Sequence, residues 1–169
     1  MTAHEIIESL GLQPLPVEGG YYTVTHRSTE VLSSEGLPTR YQNDRSISGA
    51  IYYLATVTQF SAMHKLLTDE LYYYHLGDPL QILMLGPDGN GMVKLLGVDL
   101  ADGQQPQLLV PRNWWQGSRP LPGGTFGFTL ISTSMAPAYE ASDTEFGNKE
   151  RLMSQYPEYA ETIASLTRK

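Results

Sequence analysis

Between Tyr21 and Ser132 the chain keeps one rhythm: short β-prone runs, each cut off by glycine, proline or an Asp-Gly pair. Tyr, Val, Ile and Thr suit a pleated, half-buried backbone, and the punctuation forces reversals. In order, the pattern predicts strands over Tyr21–His26, Ile47–Val57, Gln81–Leu85, Met92–Leu100, Gln107–Val110 and Phe126–Ser132. The run Ile47–Val57, ISGAIYYLATV, is apolar on both parities, as a strand buried on both faces requires. GPDGNG, from Gly86 to Gly91, marks a hairpin. Further turns fall at Asp102-Gly103, at Pro111-Arg112-Asn113 and in a loop over Pro120–Gly124. Short strands at such spacing indicate an all-β sandwich or barrel.

The ends differ. Thr2 and Glu5 form a capping box, and Ile6, Ile7 and Leu10 make an apolar stripe before Gly11, which predicts a short opening helix. Glu18-Gly19-Gly20 is a turn. In the tail, Tyr159, Ile163 and Leu166 share a helical face, with Pro157 where a first-turn proline is tolerated. Arg27 to Asp44 has no clear periodicity and reads as a long loop, either functional or else a surface excursion or a dimer contact. With 169 residues and no internal repeat, the chain is expected to form a single domain over 1–169.

Composition removes several classes of function. There is no cysteine, so disulfides and thiolate metal sites are excluded. A net charge of −7 argues against a nucleic-acid polymer as partner, because phosphate contacts need clustered cations. A small anion is compatible, through a few of Arg27, Arg40, Arg45, Arg112 and Arg119. No apolar run approaches the roughly 20 residues that span a bilayer, and MTAHEIIESL lacks the form of a secretory signal. A soluble, cytoplasmic protein without membrane partners is the expectation.

Chemistry concentrates in Phe60–Leu80, FSAMHKLLTDELYYYHLGDPL. Thr68-Asp69 reads as a turn, and two strands joined there bring His64 near Glu70. Alternation puts Glu70, Tyr72 and Tyr74 on one face, Tyr73 and His75 on the other, and His64 on the face of Leu66. A histidine hydrogen-bonded to a carboxylate is a general base with an orienting partner. Tyr22, Tyr72 and Tyr74 are candidate acids, and Trp115 could stack on a ligand ring. The same residues also suit plain packing, since buried His–Glu pairs and rows of strand tyrosines occur without catalysis.

These residues carry a resemblance. Phe60–Gly77 is similar to the first motif of the cupin superfamily, which places a His, a second His two on, a Glu four further and a Gly seven beyond. His64, Glu70 and Gly77 match three of those positions, and Leu66 stands at the second histidine. Pro111–Gln116 resembles the second motif, with Asn113 for its Gly and Gln116 for its His. Glu18-Gly19-Gly20-Tyr21-Tyr22, Ala50–Leu54, Gly77–Leu80, Val110-Pro111, Trp115-Gln116 and Ala136-Pro137 resemble the signature of an uncharacterised cupin subgroup. Pro16-Val17 depart from the His-Pro usual there. The resemblance implies a double-stranded β-helix, or jelly-roll barrel, to which the residues add a short helix at each terminus. It further implies a ligand cavity, a likeness in fold to sugar-nucleotide 3,5-epimerases, and a homodimer.

Metal-binding cupins usually hold an ion with three His and one Glu. Here the corresponding set is His64, Glu70, Gln116 and Leu66, with His75 as a further ligand only if a bulge re-aims it. No cofactor is therefore favoured. Three readings stand: a metal-independent epimerase or isomerase on a carbohydrate-like substrate such as a sugar nucleotide; a metal-dependent cupin oxygenase or isomerase; or a non-catalytic small-ligand sensor. The candidate catalytic residues are His64, Glu70 and Tyr72, and the candidate ligand contacts are Tyr22, Arg27, Tyr74, His75, Trp115 and Gln116.

Overall fold

A computed structural model describes residues 1–168. Helix α1 (Ala3–Leu10) starts at the Thr2–Glu5 capping box and stops at Gly11, whose φ of 62° suits a residue without Cβ. Strands β1 (Gln13–Pro14) and β2 (Tyr21–Arg27) follow. The expected long loop holds β3 (Val31–Leu32) and a 3-10 turn over Ser34–Gly36, and β3 pairs with β4 (Arg45–Ser46). Then come β5 (Gly49–Thr56), β6 (Ser61–Lys65), β7 (Glu70–Gly77), β8 (Leu80–Leu85) and β9 (Gly91–Leu96). They are followed by β10 (Gln107–Val110), β11 (Trp115–Pro120), β12 (Phe128–Met135) and β13 (Glu145–Phe146). The chain closes with α2 (Lys149–Gln155), a 3-10 turn over Pro157–Tyr159 and α3 (Ala160–Ser165), so the expected C-terminal helix is two short ones.

Two antiparallel sheets face each other as a jelly roll, in the orders β1-β2-β5-β12-β7-β10 and β13-β6-β11-β8-β9. The strands on either side of Thr68-Asp69 do not form a hairpin. They lie in opposite sheets, so the turn carries the chain across the sandwich. The hairpin at Gly86–Gly91 forms as expected, closed by Gly86 N–H donating to the Asn90 carbonyl at 2.7 Å. The strand expected over Met92–Leu100 stops at Leu96, where the chain turns toward Gln105. The last long strand begins at Phe128 and runs on to Met135.

Strand β11 has weak sequence signals and a central position. Gly117 and Pro120 depress its β character, yet it pairs with both β6 and β8. Gly117 is needed because a Cβ there would lie 2.6 Å from Met63 Sδ. Pro120 is tolerated as the last residue.

Three apolar layers explain why several strands read as apolar on both faces. Tyr53, Tyr72, Ile82, Met84 and Ile131 fill the space between the sheets. Leu54, Phe128 and Leu130 lie on the outside of the six-stranded sheet under Ile6 and Leu12. Leu83, Leu85 and Trp115 lie on the outside of the other sheet, under Leu152, Ile163 and Leu166. Each such fully buried leucine or isoleucine contributes about 2 kcal/mol. Among the described residues no helix is long and apolar enough to cross a membrane.

Candidate functional site

Between the sheets, toward the end where β2 and the loop after β12 meet, lies a cavity of about 150 Å³. His64 and Gln116 approach it from one sheet, as direct cross-strand partners on β6 and β11. Glu70 and Tyr72 approach from the other, two residues apart on β7 and therefore on one face. All four are buried, Glu70 at 7 % exposure and His64 at 2 %. The pairing of β6 with β11 slips so that Gly117 opposes both Ala62 and Met63. This irregularity sits beside His64, whose Nδ1 lies 2.8 Å from the Ala62 carbonyl.

One hydrogen-bond assignment satisfies the four groups together. Tyr72 donates to Gln116 Oε1 at 3.0 Å. The Gln116 amide nitrogen then faces Glu70 Oε2 at 2.8 Å and His64 Nε2 at 3.2 Å. An amide nitrogen has two hydrogens and no acceptor capacity, so His64 Nε2 accepts and Nδ1–H donates to Ala62. His64 and Glu70 are thus held together through Gln116. The direct His–carboxylate pair expected from the sequence is absent, because the two side chains come from opposite sheets and Gln116 fills the space between them.

Burial dominates the electrostatics. It raises the Glu70 carboxyl above the usual range; nearby His64 opposes the shift, Glu18 adds to it, and the bonds from Gln116 and Thr133 oppose it. Burial, then the charges of Glu70 and Glu18, hold the Tyr72 phenol well above its ordinary value. Tyr72 therefore keeps its proton and orients Gln116, which makes it a poor acid near neutrality.

Of the expected ligand contacts, Tyr22 and Arg27 line the cavity, and Arg27 stands at its rim in an ion pair with Glu140. Three expectations are corrected. Trp115 faces outward, because Gln116 beside it faces in; it packs under the C-terminal helices with Lys65 Nζ 4.7 Å from its ring. Tyr74 shares the inner face but lies beyond the cavity, its hydroxyl donating to the Gly77 carbonyl. His75 occupies a register shift in β7, as a bulge requires, yet stays exposed on the outer face against Ser132 and Tyr52.

The sequence reading missed Glu18, Tyr53, Ser61 and Thr133, which also line the cavity. Ser61 donates to Glu18 Oε1 at 2.7 Å, and Tyr53 to the Gly19 carbonyl at 2.9 Å. The available signal was Gly19-Gly20. Both residues have positive φ, and a Cβ on Gly20 would collide with the Tyr53 ring, so the double glycine seats Glu18 and Tyr53 side by side.

A three-His, one-Glu metal centre does not fit these residues. Leu66 contributes a hydrocarbon wall, and His75 lies on the outer face. Gln116 presents N–H donors to His64 and Glu70, where a cation would need lone pairs. Among the described residues no group of three or more His, Cys, Asp or Glu side chains gathers in ligand geometry.

The chain resembles proteins of known structure over its whole length. A hypothetical protein from Leishmania major shares 30 % identity, with TM-score 0.87 and full coverage of both chains. A protein from Shewanella oneidensis shares 32 % identity, with TM-score 0.86 over 99 % of this chain and 98 % of that one. An uncharacterized protein of Saccharomyces cerevisiae is 30 % identical over 159 residues, covering 88 % of this chain and 78 % of its own. Bacillus subtilis oxalate decarboxylase, at 11 % identity and TM-score 0.51 over 94 % of this chain and 38 % of its own, shares the fold alone. The family model described as cupin superfamily (DUF985) matches residues 4–147, and the chain belongs to that family.

Proposed function

We propose that the barrel binds a small polar, carbohydrate-like molecule and moves a proton on it without a metal, as an isomerase or epimerase does. Glu70 is the proton carrier in this reading. It is a buried carboxylate facing the cavity, its proton affinity is raised by that burial, and one of its oxygens is fixed by Gln116. The observation that carries the reading is the Gln116 amide, which ties Glu70 to His64 with N–H groups. In the isomerase reading, Glu70 takes the hydrogen from a carbon beside a carbonyl and returns it to that carbon or its neighbour.

A cavity of about 150 Å³ holds a molecule of benzene size, so the reacting portion lies inside and a nucleotide tail would extend past Arg27. Hydrogen exchange tests the chemistry. Reducing sugars and related hydroxycarbonyl compounds are incubated with the protein in deuterated water, and wash-in beside the carbonyl is followed by NMR. Exchange in the wild type, lost in Glu70→Gln and insensitive to chelator, supports the proposal. Ligands that bind without exchange would establish the sensor reading instead.

We also propose a homodimer paired along β2. Its outer edge meets β1 only at Tyr21 and Tyr22, so among the described residues Thr23–Arg27 have no strand partner on that edge. Light scattering on the purified chain, with Val24→Pro as the edge-breaking variant, measures it: a dimer in the wild type and a monomer in the variant.

A further inference from the structure

The polar hydrogens at the cavity floor are already committed. Ser61 donates to Glu18, Tyr53 to the Gly19 carbonyl and Tyr72 to Gln116. Gln116 donates to Glu70 and His64, and His64 to the Ala62 carbonyl. The hydroxyl and carboxylate oxygens among them have lone pairs left to offer a ligand, and none of the groups has a free hydrogen. Thr133 is bonded to Glu70, so the Tyr22 hydroxyl is the donor that remains among the floor and wall residues named here.

Charge points the same way. Glu18 and Glu70 both line the cavity, and neither enters an ion pair among the described residues. Arg168 approaches Glu18 but donates to the backbone carbonyls of Glu18 and Phe60. Arg27 at the rim is already paired with Glu140. An entering anion would meet two carboxylates, and like charges brought together repel. Tyrosine rings along the wall attract cations, while Leu66, Ile131 and Met135 accept an apolar body.

We propose that this cavity selects a small protonated amine, with its ammonium group at Glu18 and Glu70 and its carbon skeleton against Ile131 and Met135. The inference rests on the cavity being the ligand site, and it narrows the polar ligand class to amino-bearing members. The ammonium supplies the three donors that the floor lacks.

Calorimetric titration of the full chain at neutral pH with cyclohexylamine, cyclohexanol and cyclohexanecarboxylate tests it, since the three probes share a ring and differ in charge. The amine is expected to bind at least about tenfold more tightly than the alcohol, with the carboxylate weakest. Shifts of the Ile131 and Met135 methyl signals place the probe. Glu18→Gln, whose amide oxygen still accepts from Ser61, is expected to lose most of the preference for the amine. Equal or tighter binding of alcohol or carboxylate would overturn the amine proposal and leave the ligand cavity standing. Amine binding that Glu18→Gln leaves unchanged, or that shifts residues outside the barrel, overturns it too. So does no binding by any of the three, and the deuterium exchange assay then decides separately whether the cavity reacts with carbonyl ligands.

Discussion

Strand β7 begins at one buried carboxylate and leads into another, and the two are treated in opposite ways. Asp78, 4 % exposed, accepts backbone N–H groups from Thr125, Phe126 and Gly127 at 2.6 to 3.1 Å. Its lone pairs are consumed by a loop that it holds in shape. Glu70, 7 % exposed, is bonded by the side chains of Gln116 and Thr133 and otherwise faces a cavity. A carboxylate saturated by backbone donors is a structural clamp. One left with capacity beside a cavity, in no ion pair among the described residues, is available to a ligand.

The contrast can be broken at either carboxylate. Asp78→Ala should cost most, about 3–5 kcal/mol in urea unfolding, because it strands several N–H groups at once. A loss below about 1 kcal/mol would mean that the loop holds itself. Gln116→Leu should cost about 2–3 kcal/mol, since Tyr72, Glu70 and His64 each lose a partner.

Glu70→Gln should leave the chain at least as stable as wild type at neutral pH, because the amide carries no buried charge, while lowering proton exchange by about 10²-fold or more. The pH dependence of unfolding sharpens this point. A raised folded-state proton affinity means that, between the usual carboxylate range and the raised value, the unfolded chain has released a proton that the folded chain retains. Wild-type stability therefore falls as pH rises through that window, and the fall is absent in Glu70→Gln. Smallest is Arg27→Ala: its pair with Glu140 is 48 % and 38 % exposed, so the expected loss is under about 1 kcal/mol and is reduced further by salt.

Periodicity made most strands legible, since buried and half-buried faces alternate along them. It failed at β11, where Gly117 answers to Met63 and not to local preference. Alternation placed Glu70, Tyr72 and Tyr74 on one face correctly, but it has no measure of depth, so Tyr74 falls beyond the cavity. His64 and Glu70 were legible as residues facing a common cavity; their link through Gln116 was not, because it depends on which sheet each strand joins. Glu18 was hidden for a similar reason, lying far from the His64–Glu70 stretch in sequence and meeting its cavity only through the Gly19-Gly20 turn.

The central proposal is that Gln116, with no metal, links His64 to Glu70. Elemental analysis for Mn, Fe, Ni and Zn, on tag-free protein incubated with each ion and then gel-filtered, tests it most directly. The account predicts sub-stoichiometric metal in every case, unchanged in His64→Ala and Glu70→Gln. Near-stoichiometric metal that those two substitutions remove would contradict it.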